Sequence, residues 1–358
     1  MSTYWSPALA DLVPYIPGEQ SNQVGLVKLN TNENPFGPSP AVIEALRVWP
    51  GDRLRLYPDP DSTALREALA HYHGVEIDSV FVGNGSDEVL AHAFCALLRH
   101  DLPILMPDIS YSFYKTFCLL YDIDYMELPL DANYRINVRD YGALCGGVIL
   151  ANPNAPTGHA ISNAEIEYLL TLHPNQVVIV DEAYADFSGA TVIPLLDRYP
   201  NLLIVRTFSK SRSLAGIRVG YALGNSELIA GLDLVKNSFN SYPLTSLSIV
   251  AAIASLGDQS YFTGTIAEIV RLRQWISEEL RHLGLTVLPS STNFIFVTHP
   301  TYTASQLMTG LRRHRVLVRH LNGPRIQNFL RITIGSESDC FGLLAAFEMV
   351  LSEQFSVS

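Results

Sequence analysis

Lysine is scarce in this chain: Lys28, Lys115, Lys210 and Lys236 are the only four among 358 residues. With 24 basic against 35 acidic side chains the formal net charge is −11, which gives no support to nucleic-acid binding. An anionic ligand must therefore be caught by a local cluster, not by the overall field. The four cysteines, Cys95, Cys118, Cys145 and Cys340, are scattered without a CxxC pair. That pattern suits reduced thiols and speaks against a disulfide framework. The ten histidines show no metal-ligand spacing, so no metal is expected. Long apolar runs are missing too: the stretch from Leu244 to Leu256 is interrupted by hydroxyls and too short to cross a bilayer. The first residues lack a basic segment followed by an apolar core, so the expectation is a cytoplasmic chain without a signal peptide. Internal repeats and low-complexity linkers are absent as well.

What is present is a large apolar fraction, 48%, ample for a substantial core. The length predicts one large and one small domain, or two similar ones. The N-terminal arm, through residues 30–38, is rich in asparagine and turn formers and reads as an irregular arm laid over something else. After the turn Tyr57-Pro58-Asp59-Pro60, Ser62 is placed to cap a helix carrying Leu65, Leu69 and Tyr72, which Gly74 stops. Strands are then predicted at 79–82, 103–106, 125–128, 147–151, 177–181, 202–206 and 218–223, alternating with helices. Ser162-Asn163-Ala164-Glu165 is a capping-box sequence opening one of those helices. Fully apolar strands alternating with helices imply a mostly parallel sheet covered on both faces, an α/β fold. A long helix is expected over 247–283. Beyond it, short strands at 285–288, 293–297, 316–319 and 329–333 alternate with helices near 304–313 and 339–353, which reads as a smaller α+β C-terminal domain.

The chemistry-bearing residues fall where strands end. Gly83-Asn84-Gly85-Ser86 opens onto a helix N-terminus, whose free N–H groups favour an anion; the third glycine of a dinucleotide fingerprint is missing. Asn152-Pro153-Asn154-Ala155-Pro156-Thr157-Gly158 follows the strand ending at Ala151, and Asp181-Glu182-Ala183-Tyr184 closes the next. After the strand 202–206 comes Thr207-Phe208-Ser209-Lys210, with Arg206, Arg212 and Arg218 nearby. Cationic neighbours favour the neutral, nucleophilic form of an amine. Each residue has a plainer explanation: Asp181 as a helix cap, Asn154 in a turn, the basic run as a solvated surface loop. Ligands of open parallel sheets, however, bind beyond the carboxyl ends of the strands. A carboxylate, a phenol, an amide, a lysine and a phosphate cradle on one rim make a candidate site.

These motifs, together with Asn32-Glu33-Asn34-Pro35, Tyr57-Pro58-Asp59 and Leu214-Ala215-Gly216-Ile217-Arg218, resemble the fold-type I pyridoxal-phosphate-dependent aminotransferases, and most closely the histidinol-phosphate aminotransferase family. The resemblance runs from Pro14-Tyr15-Ile16-Pro17-Gly18 to Leu330-Arg331-Ile332-Thr333-Ile334-Gly335. It implies an arm over 1–35, a large cofactor domain over 36–255 and a small domain over 256–358. It implies pyridoxal 5′-phosphate on Lys210 through a Schiff base, with Asp181 on the pyridine nitrogen and Tyr184 and Asn154 donating to the phenolate oxygen. Tyr111 would stack on the ring, although a tyrosine packed in the core explains it equally well. Gly85, Ser86, Thr207, Ser209 and Arg218 would hold the phosphate, joined by Tyr57 of a neighbouring chain in a homodimer with shared sites. Arg331 and Arg319 would bind substrate anions, with Tyr15 and Asn32 on the covering arm; for Arg319 a solvated strand-end charge is nearly as good a reading. The implied reaction moves an amino group from L-histidinol phosphate to 2-oxoglutarate, giving imidazole acetol phosphate and L-glutamate. Aromatic amino acid transamination is the alternative. A threonine-phosphate decarboxylase-like lyase or a non-catalytic regulator ranks lower.

Overall fold

In a computed structural model of the protein, residues 4–6, 9, 12–21 and 23–355 are described. The remainder of the expected arm, residues 1–3, 7–8, 10–11 and 22, lies outside the described residues. Among the described residues the strands run in chain order as β1 (Val27–Leu29), β2 (Val80–Gly83), β3 (Ile104–Pro107), β4 (Tyr125–Leu128), β5 (Gly147–Ala151), β6 (Val178–Asp181), β7 (Leu202–Thr207), β8 (Gly220–Gly224), β9 (Thr286–Val287), β10 (Phe294–Thr298), β11 (Val316–His320) and β12 (Leu330–Thr333).

Seven of them form one sheet in the order β2-β8-β7-β6-β5-β3-β4. Only β8 runs against its neighbours; the rest of the pairings are parallel. The central strands are buried on both faces, so their residues alternate between two cores. Val148, Leu150, Val178, Val180, Leu202 and Ile204 face one core, while Ile149, Ile179, Leu203 and Val205 face the other. Truncating any one of these to alanine costs about 2–5 kcal/mol. The smaller sheet has the order β1-β11-β12-β10-β9, with β1 parallel to β11 and the other pairs antiparallel. It carries a core of its own, built on Ile295, Val297, Leu330 and Ile332 with the helices behind them.

Several local expectations meet their residues. Gly74 closes the helix Thr63–His73 at φ 68, a backbone that favours glycine. Ser162 and Glu165 form the full capping box. Three others need correction. Ser62 caps nothing with its side chain; it adopts φ 48, and the Thr63 amide donates instead to Asp59 Oδ2 at 2.7 Å. The long helix is broken in two, Ser246–Gly257 and Gln259–His282, because Asp258 leaves helical geometry and its carboxylate accepts the Tyr261 amide. Part of the arm is ordered as β1, since Val27, Lys28 and Leu29 find partners in β11. The helices Pro40–Arg47, Phe113–Tyr121 and Ser226–Phe239 are further elements that the sequence reading left unassigned.

Candidate active site

The carboxyl ends of β2, β3, β5, β6 and β7 and the entry to β8 share one rim of the large sheet. At β2 the chain turns at Gly85 (φ 82) into the helix Ser86–Ala93, whose N-terminus has no side-chain cap. A Cβ on Gly85 would collide with the Arg218 guanidinium, and one on Gly220 would fall onto the Gly85–Ser86 peptide. Two glycines thus let the Arg218 guanidinium and the β8 backbone close on the uncapped N–H groups, an arrangement made for an anion. Arg218 donates to Asp87 at 3.3 Å beside this cradle. The Ser209 amide donates to the Thr207 hydroxyl at 3.1 Å, which fixes the turn where the chain leaves β7.

Asp181, at the end of β6, is 5% exposed. Its Oδ1 accepts the Ala183 amide at 3.0 Å and its Oδ2 accepts the Tyr114 hydroxyl at 2.7 Å. Burial raises its pKa to about 6, against the lowering by Tyr114, Ala183 and Lys210. A buried carboxylate held this way is suited to a protonated ring nitrogen.

Lys210 forms no ion pair among the described residues, and its Nζ lies 5.8 Å from the Tyr184 ring centroid. The arginines near it in the chain are each engaged by other groups. Arg206 is buried against Asp186 at 2.7 Å and Glu182 at 3.3 Å. Arg212 lies 3.9 Å from the Phe262 ring and donates to the Ser255 carbonyl, while Arg218 pairs with Asp87. Sequence proximity cannot tell on which side of a loop a guanidinium will find its carboxylate.

Tyr184 accepts from Asn32 Nδ2 at 2.8 Å, which leaves its own O–H free to donate to a ligand. Asn154 differs from expectation in detail. Its amide hydrogens go to the Ile109 carbonyl and the Thr157 hydroxyl, and its Oδ1 accepts Ser110. Tyr111 sits over the same rim, donating to Asp87 at 2.9 Å and meeting Tyr15 edge-on at 6.1 Å. Tyr15 also packs on Phe113 at 5.1 Å, so the arm closes an aromatic wall.

The arm is tied to both sheets. Asn32, 1% exposed, donates its backbone N–H to Thr333, and its carbonyl accepts Asn293. Asn34 donates to the carbonyls of Lys210 and Ser211 at 3.0 and 3.2 Å. Arg331, on β12, donates through Nη2 to the Asn30 carbonyl, but its buried Nε has no partner. It has no carboxylate beside it among the described residues, and burial depresses its pKa. A desolvated guanidinium without a counter-ion is a site waiting for an anion. Arg319 stands opposite Arg331 in the β11–β12 register and donates to the Ile16 and Pro17 carbonyls. Tyr57 is not drawn to this rim; it is 82% exposed and stacks on Tyr242 at 4.7 Å.

The sequence reading passed over Tyr114, Asn34, Ser110 and Asp87. Tyr114 lies three residues after Tyr111, across the turn that leads into the helix Phe113–Tyr121. The other three depend on loops meeting in space.

The family profile described as aminotransferase class I and II matches residues 24–347. The chain belongs to that family. Among curated aminotransferases, the histidinol-phosphate aminotransferase 1 of Bordetella parapertussis is 53% identical to it over 355 residues, covering 98% of this chain and all (100%) of that one. The histidinol-phosphate aminotransferase 2 of Dechloromonas aromatica is 52% identical over 357 residues, covering 98% and 99%. Among solved aminotransferases, the histidinol-phosphate aminotransferase of Sinorhizobium meliloti in complex with pyridoxal-5′-phosphate superposes with a TM-score of 0.89 at 25% identity, covering 99% of each chain. The mostly parallel large sheet with its second, smaller sheet is the fold of these aminotransferases.

Proposed function

We propose that this aminotransferase moves the amino group of L-histidinol phosphate to 2-oxoglutarate, using pyridoxal 5′-phosphate. The residues present fit that cofactor: the glycine-lined cradle accepts its phosphate, the buried Asp181 accepts its ring nitrogen, and Lys210, with no ion pair among the described residues, has its Nζ 5.8 Å from the Tyr184 ring centroid. When bound, the cofactor supplies an electron sink for negative charge that develops on the carbon bearing the amine. Everything else is the work of this chain. Ser86, Thr207, Ser209 and Arg218 bind the phosphate against the Gly85 turn, and Asp181 keeps the ring nitrogen protonated by pairing with it. Tyr111 covers the ring face. Tyr184, its hydroxyl oriented by Asn32, donates to the phenolate oxygen. Lys210 Nζ holds the cofactor and then moves the proton at the amine-bearing carbon.

The observation that carries the substrate is Arg331, a covered guanidinium with an unpartnered Nε, in a chain half identical to curated histidinol-phosphate aminotransferases. The donor has a phosphate but no α-carboxylate, and the acceptor has carboxylates but no phosphate. A planar, always-charged guanidinium serves either anion. Arg319 stands opposite as the second cation, and Tyr15 and Asn32 bring the arm over the substrate. The aromatic wall of Tyr15, Tyr111 and Phe113 would receive an imidazole, and it also favours the second reading, an aromatic amino acid donor.

The working form in this proposal is a cytoplasmic homodimer in which Tyr57 serves the partner's site. Residues 36–255 make the cofactor-binding unit, and 256–358 with the arm 1–35 make the smaller one. No helix among the described residues is long and apolar enough to cross a membrane. The test is to offer histidinol phosphate, phenylalanine, tyrosine and glutamate separately to the holoenzyme and follow the cofactor absorbance in single turnover. Rapid conversion by histidinol phosphate and by glutamate is the expected result. Conversion by the aromatic amino acids with none by histidinol phosphate would overturn the substrate in favour of the second reading.

A further inference from the structure

Tyr114 is the group at the heart of this molecule that neither the motifs nor the proposed roles account for. It is fully buried in the second core, beside Phe94, Phe117 and Ile149, where a phenylalanine would fill the same space. Burying a hydroxyl in apolar surroundings is unfavourable unless it is bonded. Its one partner is Asp181 Oδ2, at 2.7 Å. No other protein donor reaches that oxygen among the described residues, whereas Oδ1 has the Ala183 amide.

We infer that Tyr114 is a positioning residue for the reaction: its hydroxyl aims the Asp181 carboxylate at the cofactor's ring nitrogen and holds it in the ionised, acceptor form. The inference rests on the proposed pairing of Asp181 with that nitrogen. Geometry makes the role possible. Tyr111 stands two residues before the helix Phe113–Tyr121, its carbonyl accepts the Tyr114 amide at 3.1 Å, and the two rings meet edge-on at 5.6 Å. One tight turn at the entry to this helix therefore sets both the cover over the ring and the backing of the carboxylate. Tyr114 reaches Asp181 from the side of the second core, which leaves the remaining lone pairs of the carboxylate for a ligand. Burial and the neighbouring carboxylate also hold the phenol far above its usual range, so it remains a donor at every working pH. The charged groups that act on Asp181 besides Tyr114 are Lys210, which favours its ionised form, and Asp87, which opposes it.

The sign of the effect follows. Burial already lifts Asp181 to about 6, and the Tyr114 bond opposes that lift. Removing the hydroxyl raises the pKa further, so the carboxylate is lost at a higher pH and the cofactor is released there. A bond to a charged acceptor accounts for a displacement of about one pH unit.

The experiment is equilibrium dialysis of the holoenzyme across acid to alkaline pH, for wild type, Tyr114→Phe, Asp181→Asn and the double variant, with thermal unfolding of each as a check on folding. In wild type, cofactor retention should fall as the pH drops through about 6. In Tyr114→Phe the same fall should begin about one unit higher, giving roughly tenfold weaker retention in between and near-normal retention in alkali. The double variant should be no worse than Asp181→Asn, because Tyr114 acts only through that carboxylate. A Tyr114→Phe curve that overlays wild type, or a loss equal at every pH, refutes the inference, as does a double variant clearly worse than Asp181→Asn. If Asp181→Asn alone retains cofactor and turns over normally, the failure belongs to the ring-nitrogen reading instead.

Discussion

Gly220 is the position where one added methyl group should disable the cofactor site without touching any reactive side chain. It is the first residue of β8, opposite Gly83 of β2 and Thr207 of β7 in the ladder. In Gly220→Ala the new Cβ would lie 2.7 Å from the Ser86 Cα and closer still to the Ser86 nitrogen. These are backbone atoms, so no rotamer change relieves the contact. The peptide has to withdraw toward the 3.4 Å of an ordinary contact, and with it the first N–H groups of the helix Ser86–Ala93. Overpacking of this kind costs about 1–3 kcal/mol, which as lost cofactor affinity is roughly 5- to 150-fold. Gly216→Ala is the matched control, since nothing lies within 4 Å of a Cβ there. Cofactor retention after dialysis, read by absorbance, should fall for Gly220→Ala and stay at the wild-type level for Gly216→Ala. Calorimetry on both separates lost binding from lost folding. Wild-type retention in Gly220→Ala would refute the cradle as drawn.

Arg331→Lys should weaken glutamate and histidinol phosphate alike, by about tenfold or more in kcat/KM, because an ammonium cannot reproduce the fork. A loss confined to glutamate would assign the phosphate to Arg319. Borohydride reduction of the holoenzyme followed by peptide mapping should place the pyridoxyl group on Lys210; a label on Lys115 or Lys236 would end that assignment. Mixing Lys210→Ala with Tyr57→Ala subunits should restore activity, since one site of each mixed dimer is then intact. No recovery despite measured subunit exchange would mean that Tyr57 acts within its own chain.

Much of the large sheet was legible in the sequence because its central strands β5, β6 and β7 are short, largely Val, Ile and Leu runs between polar turns. Residues 125–128 and 147–151 were predicted at the bounds of β4 and β5, and the rim on which Asp181, Lys210 and Gly85 converge follows from the parallel order. Local capping was less secure. Ser62 and Asp59 are both good caps by type, and only the backbone, with Ser62 at φ 48, decides that Asp59 is the one used. The break at Asp258 and the strand β1 likewise depend on partners far along the chain.

The sequence by itself determined the chemistry: the residue types at strand ends, their order, and the family that uses them. Tertiary structure alone decided the pairings. Arg206, Arg212 and Arg218 crowd Lys210 in the chain, yet they bind Asp186, Ser255 and Asp87, because a guanidinium goes to whatever partner the fold brings to it. Tyr114 meets Asp181 across 67 residues, and Asn32 meets Tyr184 across 152. Arg331 is left with an open Nε, since among the described residues no carboxylate is folded against it. Local propensity acts over a turn or two of chain, whereas desolvation acts on whatever the packed sheets enclose, so which side chain was satisfied and which was left for a ligand became visible only with the fold.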